Sequence, residues 1–435
     1  MSPKKTVLSI LIFYALLSFT FVSSVEASSE LWSKTYGGNG MDACTSMVQT
    51  PDGGFALFGF AHSFGTGSFL IKTDAYGNME WNKTIGGPNQ GAYSFIQTLD
   101  GGFAFIGTHA ASVDGYIPVG RMPDGYWSFV WLAKTDEYGN MEWNQTYDEI
   151  TGYYQGYSLV QTTDGGYALV GTFSNNAEYD NLLLIKTDSH GNMEWGKSYG
   201  GSKTESDPKL VQTSDGGFAL VCKTYLDIEV PADVWFIKTD ETGNIEWNKT
   251  YGGAKTDYPT ALLQLSEESF VIAGCTGSFG YAGGDFWLIK TDKNGNIIWN
   301  QTYGTENPET LSSLVQTSDG GFALAGYTQT DNDDLFYNFL LVKTDNLGNI
   351  LWNQTYLGGA VLGLPSLIQT VDGGFALSGG KGSFETGDWD FWLIKTDPHA
   401  IPEFPSWIIL LVLIMGTLLF GVIHKRKNVS WIKLY

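Results

Sequence analysis

Cysteine is scarce in this chain: Cys44, Cys222 and Cys275 are all that 435 residues contain. An odd, low count excludes a disulfide framework as the source of stability, so a packed core must supply it. Cys222 and Cys275 hold nearly equivalent places one repeat apart. They read as two small buried hydrophobes or, alternatively, as a neighbouring pair. Positive charge is scarce as well. The chain has 24 basic and 46 acidic residues. Six of the basic residues and two of the acidic ones belong to the two end segments, leaving residues 28–401 near −26. Such a field repels nucleic acid and anionic surfaces, which excludes them as ligands of the middle region. Arg121 is the sole arginine there. Helical periodicity is absent from residues 28–401, and no clustered Cys/His metal motif occurs.

Present instead is a repeat of about 50 residues. Lys-Thr-Asp begins at Lys72, Lys134, Lys186, Lys238, Lys290, Lys343 and Lys395. Each copy carries four short apolar runs joined by glycine turns. In the copy after Asn296 these runs are 297–303, 311–317, 322–327 and 339–344. Aromatic and β-branched residues fill them, and Asp-Gly-Gly or Gly-Asn turns separate them. A repeat of this length made of four strands predicts an all-β propeller blade. The Asp-Gly-Gly turn starts at Asp52, Asp100, Asp164, Asp215, Asp319 and Asp372, and Glu267-Glu268-Ser269 fills the remaining place. That makes seven blades.

The seventh copy lacks its last strand. Leu31 to Gly38 is a Trp strand with no blade before it, and it matches the segments from Trp81 and Trp247. The expectation is a seven-bladed β-propeller over residues 28–401, closed by an N-terminal strand paired with 391–396. Closure leaves no free sheet edge.

The segments Asp188, Gly191, Trp195 and Asp240, Gly243, Trp247 resemble the tryptophan-docking repeat of quinoprotein-like propellers. That resemblance implies that Trp32, Trp81, Trp143, Trp195, Trp247, Trp299 and Trp352 pack between blades against a neighbouring glycine. It concerns blade packing, and no quinone or calcium constellation accompanies it; no cofactor is expected.

The ends read differently. Lys4 and Lys5 precede an apolar run to about Val22, and Val25 and Ala27 suit a cleavage site, so residues 1–27 read as a signal peptide or an uncleaved anchor. Residues 407–423 form 17 uncharged positions, short but sufficient for a membrane helix. The basic residues of 424–435 place that tail on the cytoplasmic side. The linker 402–406, Pro402-Glu403-Phe404-Pro405-Ser406, resembles the PEF-type C-terminal sorting signal of archaeal surface proteins. The resemblance implies processing by an archaeosortase, although this chain runs on to Tyr435, and a plain membrane anchor fits equally.

Invariant turns on one face and variable loops on the other put ligand binding on the variable face. The interval from Asp100 to Asp164 is the longest, 64 residues against 48 to 53 elsewhere. Its insert contains Asp114, Tyr116, Arg121 and Tyr126, candidates to grip a glycan or carboxylate. The alternative is a plain insertion folded over its own blade. His62 and His109, with Asp114, form a weak metal candidate. Asp74 and its repeats invite a calcium reading, but turns bonded through Asp and Asn account for them. Asn82, Asn144, Asn248, Asn300 and Asn353 begin Asn-x-Thr sequons. Together these features predict a surface-anchored propeller that binds a glycan or protein ligand. The alternative is an exported polysaccharide-active enzyme or an inactive relative; a quinone-dependent oxidoreductase ranks third.

Overall fold

Twenty-eight strands are present among the described residues of the computed structural model, arranged as seven four-stranded sheets. The structure describes residues 30–62, 67–87, 90–111, 127–147, 153–174, 179–226, 230–281, 283–329, 337–356, 360–382 and 387–397. Blades one to six span 42–85, 90–147, 153–199, 204–251, 257–303 and 309–356, each with its strands in sequence order from inner to outer. Blade seven takes its inner three strands from 360–396 and its outermost from Glu30–Tyr36. The expected ring closure is therefore present. Trp389 N–H also donates to Gly40 O at 2.9 Å, and Val371 N–H donates to Gln49 Oε1 at 3.1 Å, tying blade seven to blade one. The propeller lies within one compact unit, Trp32–Pro398. No helix among the described residues is long and apolar enough to cross a membrane; the segments 1–27 and 402–435 lie outside the described residues.

The core sits between blades, one cluster to each junction. Phe391 and Leu393 of blade seven pack with Cys44, Phe55 and Ile71 of blade one, and the other junctions repeat the pattern. Burying each such Phe or Leu contributes about 1.5–3 kcal/mol. All three cysteines are buried and free, as small hydrophobes would be.

Six of the seven expected tryptophans lie over a glycine, and Trp352 does not. Trp32, Trp81, Trp143, Trp195, Trp247 and Trp299 each lie over a glycine of the next blade: Gly77, Gly139, Gly191, Gly243, Gly295 and Gly348. A Cβ on any of these glycines would come within 2.6–3.0 Å of the indole. Their φ values are +73 to +81°, a region that only glycine enters without strain. Tyr36, Tyr147, Tyr199, Tyr251 and Tyr303 each donate a hydroxyl hydrogen bond to the carbonyl of the docked glycine, at 2.6–2.9 Å. No Gly-Asn turn follows Asp397 to receive Trp352, which packs edge-on against Phe375, 5.9 Å between ring centroids.

The Lys-Thr-Asp lysines have a structural task. All but Lys290 are 4–6 % exposed. Each ammonium bonds the acid that opens its blade's Asp-Gly-Gly turn, as Lys72 bonds Asp52 at 2.7 Å. Four also reach the Glu before the docking Trp, as Lys72 reaches Glu80 at 3.0 Å. In blade five, Glu267 replaces the Asp and bonds Lys290 at 2.8 Å, and Glu268 occupies the glycine position at φ +63°. Asp74 accepts the N–H groups of Tyr76 and Asn78 and the Asn78 side-chain amide, and its five repeats do the same, so these acids serve their turns.

These bonds set an acid limit. Partial burial pushes Asp52, Asp164 and Asp319 up, but the lysine, threonine and glycine N–H hydrogen bonds outweigh it and hold each at about 2. Glu267, bonded first of all by Lys290, is held at about 2 as well. A carboxyl held below its unfolded value of about 4 gives stability that is complete above that pH and is lost as pH falls toward 2. The thermal midpoint should therefore fall steeply between pH about 4 and 2. Calorimetry across that range checks it, and a flat profile would contradict the assignment.

Candidate functional site

Strand order puts both invariant turns of each blade on one face. The opposite face carries the long second-to-third-strand loops and the blade-to-blade connections, as the sequence predicts. Asp114, Tyr116, Arg121 and Tyr126 lie outside the described residues. The histidines are not brought into a metal cluster: His109 Nδ1 lies 3.3 Å from Thr146 Oγ1, and His62 N–H donates to Asp42 Oδ1 at 2.7 Å. No group of three metal-ligating side chains gathers among the described residues. Asn82, Asn144, Asn248, Asn300 and Asn353 are all exposed on outermost strands.

The variable face holds acids that the sequence analysis did not single out. In blades four, five and six the inner strand opens with Glu205, Asp257 or Glu309. Each accepts a hydrogen bond from a threonine of the second strand 19 residues on: Thr224 at 3.2 Å, Thr276 at 2.5 Å and Thr328 at 3.1 Å. Across each junction stands a second oxygen-bearing side chain at the head of the preceding blade's third strand, Asn181, Asp233 or Asp285. Both members of each pair crowd the glycine after the docking strand's tyrosine. A Cβ on Gly200 would overlap Asn181 Oδ1 and lie 2.5 Å from Glu205 Oε2; one on Gly304 would overlap Asp285 Oδ1 and lie 2.7 Å from Glu309 Oε2. Only glycine allows this approach. An acid and a threonine 19 apart, recurring at the repeat interval in three successive blades, was the available signal.

At the junction of blades three and four Glu205 borders an open cavity of about 320 Å³ lined by Gly200, Gly201, Ser202, Lys203, Glu205, Thr224, Trp235 and Thr250. Glu205 is 3 % exposed, and its Oε2 has no hydrogen-bond partner among the described residues. Burial lifts its carboxyl to about 7; the Thr224 hydroxyl and the Lys203 charge oppose that, and the Asp180 charge adds to it. At neutral pH the group is thus poised to donate or accept a proton. Trp235 is half-buried on the third strand of blade four, between Cys222 and Thr250, and its Nε1–H donates to Asn248 Oδ1 at 3.2 Å. An indole, a carboxyl, an ammonium and three hydroxyls thus share one cavity, a combination suited to a polar ligand with an apolar face.

Asp285 and Glu309 are 1 % and 3 % exposed, and both approach Gly304.

No known family model matches this sequence, and no curated protein does. Among solved structures, the chain is similar to the Pan2 WD40 domain of Neurospora crassa, with 13 % identity and a TM-score of 0.51 over 84 % of this chain and 94 % of that one. It is also similar to the polysaccharide lyase Uly1, with 8 % identity and a TM-score of 0.48 over 83 % and 91 % of the two chains. A third likeness is to prolyl oligopeptidase B of Galerina marginata, with 10 % identity and a TM-score of 0.43 over 85 % of this chain and 52 % of that one. At such identities the likeness extends to the propeller fold alone.

Proposed function

We propose that this protein is an exported, membrane-anchored propeller whose variable face binds a surface glycan. The observation that carries the reading is the cavity between blades three and four, where Trp235 stands beside Glu205, Lys203, Thr224 and Thr250. Sugars offer an apolar ring face and a rim of hydroxyls, and this cavity offers an indole and a rim of donors and acceptors. The leader at 1–27, the apolar segment 407–423 and the basic tail 424–435 support the surface location, with the 402–406 motif as the place of any archaeosortase processing. The sequons at Asn82, Asn144, Asn248, Asn300 and Asn353 fit an exported chain whose outer strands carry glycans of their own.

Binding of the purified chain to a glycan array tests the reading. Glu205→Gln and Lys203→Ala should each weaken the bound glycan about tenfold, the worth of one hydrogen bond to a charged group, while the thermal midpoint changes little. Unchanged binding in both variants would refute the site. Glycan cleavage that Glu205→Gln abolishes would favour the polysaccharide-active enzyme instead.

A further inference from the structure

The junction of blades five and six presents a different chemistry. Asp285 and Glu309 come from different blades, both are nine-tenths or more buried, and no salt bridge among the described residues reaches either one. Their oxygens are held by neutral donors. Tyr281 N–H donates to Asp285 Oδ2 at 2.5 Å, and Thr305 N–H donates to Glu309 Oε2 at 3.0 Å. The hydroxyls of Thr305 and Thr328 donate to Glu309 Oε1 at 2.6 and 3.1 Å. Burial pushes the Asp285 carboxyl up against the opposing Tyr281 hydrogen bond, and the Glu309 charge adds to the rise. One oxygen is left over: Asp285 Oδ1 has no hydrogen-bond partner among the described residues. It points to the spot beside Gly304 where Glu309 Oε2 also lies.

Two buried carboxyl groups facing each other need either a shared proton or a cation between them. At the junction of blades three and four the corresponding side chain is Asn181, whose amide can turn a donor toward Glu205. Asp285 can donate only when protonated; ionised, it offers oxygens alone and calls for a cation. Ligands that are all carboxylate, hydroxyl, carbonyl or water oxygen select a hard divalent ion, and an irregular inter-blade setting suits calcium better than the strict octahedron of magnesium. We propose that the junction of blades five and six binds a calcium-type divalent cation between Asp285 Oδ1 and Glu309 Oε2, clamping the two blades on the variable face. With two carboxylates the site is of the modest affinity found in extracellular modules, roughly 0.1–1 mM. The Asp233 and Asp257 pair one junction earlier repeats the arrangement, with Asp233 less deeply buried.

Equilibrium dialysis of the purified full chain against calcium chloride, with calorimetry in calcium and in chelator, tests this. Wild type should bind calcium, and its midpoint should rise by about 5 °C at saturation. Asp285→Asn/Glu309→Gln should bind one equivalent fewer and lose most of that rise. Glu137→Gln/Glu241→Gln, which removes two exposed acids on other blades, should match wild type in both readings. If the double variant does not fold, Asp285→Asn alone gives the same readings. The proposal is overturned if wild type binds no calcium, if the Asp285 variants bind as many equivalents as wild type, or if sodium chloride of equal ionic strength gives the same rise. Because this junction is not the cavity of Glu205, glycan binding that persists without calcium would leave the two readings separately decided.

Discussion

Removing Glu30–Tyr36 should cost this protein more than any single substitution. Those seven residues are the outermost strand of blade seven. Without them the strand Trp389–Thr396, with Phe391 and Leu393 wholly buried, becomes an open edge, and an apolar open edge is a template for aggregation. The contact of Trp32 with Gly77 is lost, together with the 2.7 Å hydrogen bond from Tyr36 to the Gly77 carbonyl. The lost burial of Trp32 and Tyr36 and that hydrogen bond come to roughly 5 kcal/mol. The truncated chain should be recovered mainly as aggregate, or melt about 10 °C or more below the full chain. Placing the same strand after Asp397, behind a Gly-Asn turn, should restore both solubility and midpoint, because the ring needs the strand and not its position in the chain. Soluble truncated protein with an unchanged midpoint would refute strand closure as the source of the ring's stability.

Gly243→Ala should be strongly destabilising for so small a change. Gly243 has φ +79°, and a Cβ there would lie 2.8 Å from the Trp195 ring. The left-handed backbone costs a non-glycine residue about 1–2 kcal/mol, and forcing the indole from its seat adds about 1–3 kcal/mol of overpacking. Gly320 supplies the comparison. Its φ is +82°, yet nothing lies within 4 Å of an added Cβ. Gly320→Ala should therefore show the backbone cost alone, and the excess loss in Gly243→Ala, measured by denaturant titration, isolates the docking contact. Equal losses in the two variants would mean that the indole seat contributes little.

Architecture was legible in the sequence because it is periodic. Seven Asp-Gly-Gly places gave the blade number, and the unmatched Trp strand at Leu31 gave the closure. The Asp and Asn pairs of turns such as 74–78 were read correctly as turn chemistry, since their partners lie within four residues. The Lys-Thr-Asp lysines were visible as a motif but not as ion pairs. Lys72 meets Asp52, 20 residues away, only because two antiparallel strands bring both invariant turns to one face. The variable-face acids were missed for a related reason. Functional residues were sought where the repeat breaks, in the insert around Arg121. Glu205, Asp285 and Glu309 instead follow a partial repeat, present in some blades and absent from others.

The sequence by itself determined the strand count, the closure of the ring, the docking tryptophans and the glycines they require, because each of these follows from local pattern and spacing. Only the tertiary structure decided which acids face each other and which of them opens to a cavity. Those pairings cross from one blade to the next, and their character depends on burial. A carboxyl left without a counter-charge is ordinary in water and consequential inside a protein, and nothing in a residue's own neighbourhood along the chain shows which of the two it will meet.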